Sequence, residues 1–149
     1  VVASLAARFA ATPFALGVEL PAASLLEAMR ALRDAHGYRY YVTGTGIDRE
    51  ATFEVLHAVR NNETNDTLFV KVAVPKETAA VDSIAFVYAG AEWQEREIWD
   101  LLGVTFPGHP DLRRILMPDE YPGHPLRKSF AMDTPWGYRP ATAPAEPAS

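Results

Sequence analysis

The chain contains no cysteine among its 149 residues. That excludes disulfides, thiol nucleophiles, zinc–thiolate centres and cysteine-ligated iron–sulfur clusters from this polypeptide. Runs approaching the ~20 apolar residues that span a bilayer are also missing. So is a surplus of positive charge: 14 Lys and Arg face 19 Asp and Glu, for a net charge of −5. A bulk electrostatic grip on nucleic acid or anionic lipid is therefore disfavoured. There is no Gly-x-Ser-x-Gly elbow and no phosphate-binding P-loop. The chain starts at Val1. Its Ala-rich opening, interrupted by Arg8 and Pro13, lacks the charged start and cleavage box of a secretory leader.

What is present is ordinary globular composition, 48% hydrophobic and 22% charged, on a length that suits one core. Leu25, Met29 and Leu32 recur at three-and-four spacing and predict a helix over 21–36, stopped by Gly37. Residues 38–43 read as a strand, with a turn at Gly44-Thr45-Gly46. Residues 51–60 and 67–74 alternate, and the polar cluster 61–66 joins them as an antiparallel hairpin. Ser83, with Asp82 in competition, is expected to cap a short helix through Tyr88. A second helix is expected over 92–102, ended by Gly103.

Beyond position 104 the character changes, because nine of the twelve prolines lie there. Each removes a backbone donor and turns its predecessor away from helix. At most a short helical turn at 112–116 is expected. Yet the stretch 104–130 holds Phe106, Leu112, Ile115, Leu116, Met117, Tyr121, Leu126 and Phe130. That many large apolar groups on irregular backbone calls for an outside surface to cover them. The expected organisation is an α+β domain over 14–90 with a small, mostly antiparallel sheet and helices. A helix and extended proline-rich docking arm follow over 91–130, then a Pro/Ala-rich tail over 131–149.

On the 92–102 helix, Trp93, Arg96, Glu97 and Asp100 fall on one stripe, and Glu95, Ile98, Trp99 and Leu102 on the other. Arg96 and Asp100 lie one turn apart and are expected either to pair in solvent or to meet a partner, with Trp93 as anchor. Glu95 and Glu97, two apart, cannot face each other as an acid/base dyad. Gly-His-Pro occurs at 108–110 and again at 123–125, before Arg113 and Arg114 and before Arg127 and Lys128. The spacing of His109 and His124 suits no metal site, with only Asp111 close by. Their expected role is structural: Gly and Pro set a bend, and the imidazole bonds to backbone. The cations then point outward, to solvent or to a partner's carboxylates. Gly44-Thr45-Gly46 is a poor dinucleotide loop, since Arg49 stands at the third glycine position. Asp48 reads as a turn or cap residue.

The run Glu95-Arg96-Glu97-Ile98-Trp99-Asp100-Leu101-Leu102-Gly103-Val104, followed by Phe106 and Gly108-His109-Pro110-Asp111-Leu112-Arg113-Arg114-Ile115-Leu116, resembles the signature of the C-subunit family of respiratory complex I. Gly123-His124-Pro125-Leu126-Arg127-Lys128 resembles that family's closing block. The resemblance implies a peripheral-arm subunit of a proton-pumping NADH:quinone oxidoreductase. It implies no catalytic group, cofactor or metal in this chain, with FMN, iron–sulfur clusters and quinone on other subunits. The implied partners are the large quinone-site subunit and iron–sulfur subunits, with no nucleic acid, and with the membrane only through the complex. The implied location is the cytoplasmic face of a bacterial plasma membrane or the matrix face of a mitochondrial inner membrane. Trp93, Glu95, Arg96, Glu97, Trp99, Asp100, Phe106, His109, Asp111, Arg113, Arg114, His124, Arg127 and Lys128 become candidate interface residues. The equivalent subunits of membrane-bound hydrogenases and ferredoxin-dependent dehydrogenases share the resemblance. This chain departs from the family in having Glu92 before Trp93, and Ser129-Phe130-Ala131 where an acidic residue and Phe-Pro are usual.

Two rival readings remain testable. An independent enzyme built on Glu95, Glu97 and the histidines would turn over alone. A nucleic-acid module built on the basic clusters would bind with a steep salt dependence, against the acidic total charge.

Overall fold

A computed structural model describes residues 1–130; the expected tail at 131–149 lies outside them. The elements in chain order are α1 (Val2–Phe9), β1 (Thr12–Phe14), β2 (Gly17–Leu20), a 3-10 turn (Ala22–Ser24), α2 (Leu25–Ala35), β3 (Tyr40–Asp48), β4 (Thr52–Asn61), β5 (Asp66–Pro75) and α3 (Ala91–Leu102). The fold is α+β around one five-stranded sheet of order β1-β2-β5-β4-β3. Strand β2 runs parallel to β5, while the other neighbours are antiparallel. The sheet is therefore mixed.

The alternation in β4 and β5 sets the two faces of this sheet. Phe53, Val55, His57 and Val59 lie opposite Val74, Val72, Val70 and Leu68, and all eight are buried. The apolar ones among them form one core with Leu25, Met29 and Leu32 of α2 and with Ile98 and Leu102 of α3. The alternate positions carry charge: Lys71 meets Glu19 at 2.8 Å, and Arg49 meets Glu54 at 3.0 Å. The β4–β5 turn sits where its polar cluster predicts. Asn61 Oδ1 accepts the Glu63 and Thr64 amides at 2.9 and 3.3 Å, an Asx-type turn.

Three local expectations need correction. Gly44-Thr45-Gly46 is no turn; it lies inside β3, paired with residues 55–57 of β4. A Cβ on Gly46 would stand 2.5 Å from Leu102 Cδ1 and 2.9 Å from Ile98 Cγ2, so the missing side chain is what lets α3 lie close on β3. Residues 83–88 form turns, not a helix: Ser83 Oγ accepts the Ala85 amide at 3.2 Å, as a cap would, but the amides of Val87 and Tyr88 both close on Ile84 O and the chain turns away after one turn. Residues 112–116 also lack a helical turn, since the amides that would build it are engaged elsewhere, as described next.

Candidate functional site

Helix α3 ends at Gly103, whose φ of 74° takes the left-handed form that favours glycine and whose amide closes on Trp99 O at 2.8 Å. A helix end exposes orphan carbonyls. Here the proline-rich arm fills them. Asp100 O accepts from His124 Nδ1 at 2.9 Å and from Arg114 at 3.3 Å. Leu101 O accepts the Leu126 amide at 3.0 Å, and Leu102 O accepts Arg127 Nε at 2.6 Å. The second Gly-His-Pro block is thus the C-terminal cap of α3, and two guanidinium groups sit at the negative end of the helix dipole.

The Asp100 side chain organises the other half of the arm. It is fully buried. Oδ2 accepts the amides of Ile115, Leu116 and Met117 at 3.0, 2.8 and 2.9 Å. Oδ1 meets Arg114 Nη1 at 2.6 Å. Burial works to raise this carboxyl; the three amides and Arg114 outweigh it and hold it below its ordinary value. Arg114 continues to Tyr121 O at 2.9 Å and Gly123 O at 3.1 Å, and its guanidinium lies 5.8 Å from the Trp99 ring centre. The expected Arg96–Asp100 pair is not formed. Arg96, also buried, donates to Arg113 O at 3.1 Å and Arg114 O at 3.0 Å, and its guanidinium lies over the Trp93 ring.

Glu95 anchors α3 on its opposite side. With no exposed surface, it takes Ser83 Oγ on Oε2 and the Ile84 amide on Oε1 at 2.8 Å. Burial pushes its carboxyl up, against the pull of these donors and of His109. Glu97 points to solvent, so the two glutamates are apart, as their spacing predicts. His109 Nε2 bonds to Glu92 O at 2.9 Å, and its Nδ1 accepts the Asp111 amide at 3.0 Å. Both histidines therefore serve the backbone, in line with the expected structural role. The cations divide: Arg114 and Arg127 turn inward, while Arg113 pairs with Asp111 at 2.8 Å on the surface. Phe106 is buried in the chain's own core and Leu112 packs against it, so part of the apolar load expected to need a neighbour is absorbed internally. Trp93, Leu116 and Leu126 remain 60%, 59% and 59% exposed.

Two contributors have partners that a reading of the sequence does not supply. Asp48 closes the arm: its Oδ2 accepts the Lys128 amide at 2.7 Å while Oδ1 meets Lys76 at 2.5 Å. His57 is fully buried on the inner face of β4, with Tyr41 Oη 2.9 Å from Nδ1 and no partner for Nε2 among the described residues. Burial depresses it to about 4. Asp48, read as a turn or cap residue, is the last residue of β3 and accepts an amide 80 positions away, which no local signal reveals; the alternation of β4 does place His57 on the inner face.

Among the described residues no group of three or more His, Asp or Glu is placed to hold a metal, and no helix is long and apolar enough to cross a membrane. The family model for the respiratory-chain NADH dehydrogenase 30 Kd subunit matches residues 18–135. The NADH-quinone oxidoreductase C subunit of Phenylobacterium zucineum is 44% identical over 115 residues, covering 75% of this chain and 54% of that protein. The C subunit of Geobacter metallireducens is 37% identical, covering 74% and 71%. The chain thus spans little more than half the length of the first of these relatives. Among solved structures, Nqo5 in its trypsin-resistant fragment superposes with a TM-score of 0.63 at 28% identity, over 74% of this chain and 94% of that one. A chain of the membrane-bound sulfane sulfur reductase, an archaeal respiratory membrane complex, shares the fold with a TM-score of 0.72 at 23% identity, over 86% and 81%. The matched span takes in most of the sheet, the buried carboxylates of α3 and the arm they hold: the chain belongs to the family of the respiratory-chain NADH dehydrogenase 30-kDa subunit.

Proposed function

We propose that this chain is a non-catalytic structural subunit in the peripheral arm of a membrane-bound, proton-pumping NADH:quinone oxidoreductase. It packs on the large quinone-site subunit and the iron–sulfur subunits and keeps their cofactors at working separation. The observation that carries the reading is the family match across residues 18–135. The geometry supports it. Glu95, Asp100 and Arg114 are used up in hydrogen bonds that build the chain itself, while the α3 stripe containing Trp93 and Glu97 stays open. A scaffold needs those properties; a catalyst needs buried polar groups free to meet a substrate. FMN, iron–sulfur clusters and quinone belong to the neighbours. The complex supplies the contact with the membrane, on its cytoplasmic or matrix face.

A gentle pull-down of the tagged chain from solubilised membranes, with the co-purified subunits identified by mass spectrometry and iron assayed, tests this. Quinone-site and iron–sulfur subunits with iron in the complex, and none in the chain stripped from it, are expected. NADH or quinone turnover by the stripped chain overturns the non-catalytic role. Recovery with a hydrogenase or a ferredoxin-dependent dehydrogenase moves the chain to that assembly.

A further inference from the structure

The charges of α3 and its arm are sorted by sign. Arg96, Arg114 and Arg127 are turned onto backbone carbonyls and the Asp100 carboxylate. Over residues 91–130 the exposed charged side chains are Glu97, Asp111, Asp119 and Glu120 of negative sign, and Arg113 and Lys128 of positive sign. Arg113 is paired with Asp111, and Lys128 lies near Asp48, whose carboxyl it helps to hold down. Among the described residues no ion pair engages Glu97, Asp119 or Glu120.

Glu97 lies among apolar groups, and Asp119 and Glu120 are exposed on the arm between the exposed Leu116 and Leu126 in the sequence. Trp93, Glu97 and Leu101 share the outward stripe of α3 by their spacing. Leu126 lies beside Glu97 at its end, the two lining one small recess with Leu101 and Thr45. The arm segment carrying the exposed Leu116 is tied to the same helix by the Asp100 carboxylate.

We propose that this face is a preformed docking surface for a partner subunit that presents basic side chains within an apolar surface, one of them opposite Glu97. This rests on the assembly reading above and reverses the sign expected from the sequence, in which the chain's cations would meet a partner's carboxylates. The argument is charge complementarity. Arg96, Arg114 and Arg127 are consumed inside the chain and Arg113 is paired on its surface, so the open face around Glu97 is apolar with an acidic fringe. A second copy of the chain meeting the same face would set carboxylate against carboxylate.

The test uses the tagged full chain assembled in cells. Glu97→Lys and Glu120→Lys are expected to reduce the identified partner recovered with it by roughly tenfold, with a smaller loss for Glu97→Gln. Thermal melting should be unchanged, because both side chains are exposed. Carbodiimide cross-linking of the intact complex, which joins carboxylates to amines in contact, should tie Glu97 or Glu120 to a lysine of the identified neighbour. Full recovery of the partner with Glu97→Lys overturns the inference and leaves the assembly reading standing. Cross-links solely to Lys71, Lys76 or Lys128 of another copy overturn it in favour of self-association. A wild-type chain that recovers no subunit of a respiratory complex overturns both.

Discussion

Removing the Asp100 carboxylate strands three consecutive amides at once and takes from the Arg114 guanidinium its buried counter-charge, leaving it only carbonyls. Breaking a buried pair of this kind is worth about 3–5 kcal/mol, so Asp100→Ala should fall near the top of any substitution series measured by denaturant unfolding. A loss under about 1 kcal/mol would mean that water replaces the carboxylate and that it fixes little. The pH dependence follows from the direction of the shift. A carboxyl held below its ordinary 3.8 in the folded chain contributes stability that is complete above that value and lost as pH falls through the lower one. His57 acts earlier. Its folded value near 4 lies below the ordinary 6.5, so the unfolded chain binds the extra proton first, and stability declines as pH drops from 6.5 towards 4. His57→Leu should flatten that part of the profile. An unaltered slope in the variant would assign it to other groups.

At the scale of elements, α3 on β3 shows what a sequence can and cannot disclose. The helix is legible within one residue at its start, because Gly103 and the apolar spacing are local signals. The alternation of β4 and β5 exposes the hairpin for the same reason. The glycines of β3 read wrongly as a turn, since Gly-Thr-Gly suits a tight turn equally well. What decides between turn and strand is the helix lying on top, and that contact spans roughly fifty residues. Gly46→Ala tests the contact. The added methyl would meet Leu102 Cδ1 at 2.5 Å and Ile98 Cγ2 at 2.9 Å, forcing the helix outward at a cost of about 1–3 kcal/mol. Lost amide protection should appear in α3 and in the arm it carries, while the β4–β5 hairpin stays protected. Loss confined to β3 would separate the helix from the strand beneath it. The segment expected as a short helix at 83–88 is likewise held by a distant group: Glu95, twelve residues on, takes the Ser83 hydroxyl and the Ile84 amide and pins the turn to α3.

For the whole molecule, the question is how an irregular arm stays in place. Proline content and stranded apolar groups make the arm recognisable in sequence, and its histidines do sit on backbone as expected. Its anchors are not legible, because a carboxylate that collects amides from a distant loop leaves no periodic trace. Phe106 joins the common core and Leu112 packs against it, while Asp100 and Asp48 take up backbone amides at the two ends. The arm therefore divides its aromatic neighbours between two tasks, and two substitutions separate them. Trp99 is half-buried between His124, 6.3 Å away edge-on, and the Arg114 guanidinium at 5.8 Å. Trp99→Ala should loosen the arm and lower Tm by several degrees, as a loss of about 1–2 kcal/mol does in a domain of this size. Trp93 is 60% exposed, and its ring meets mainly Arg96, which stays held by two carbonyls without it. Trp93→Ala should leave melting within about 0.5 kcal/mol of wild type and lower the recovery of partner subunits. Melting curves beside co-purification resolve the two effects. If Trp93→Ala lowers Tm as far as Trp99→Ala and spares the partners, the open stripe on α3 is part of this chain's own stability and not a place where a neighbour docks.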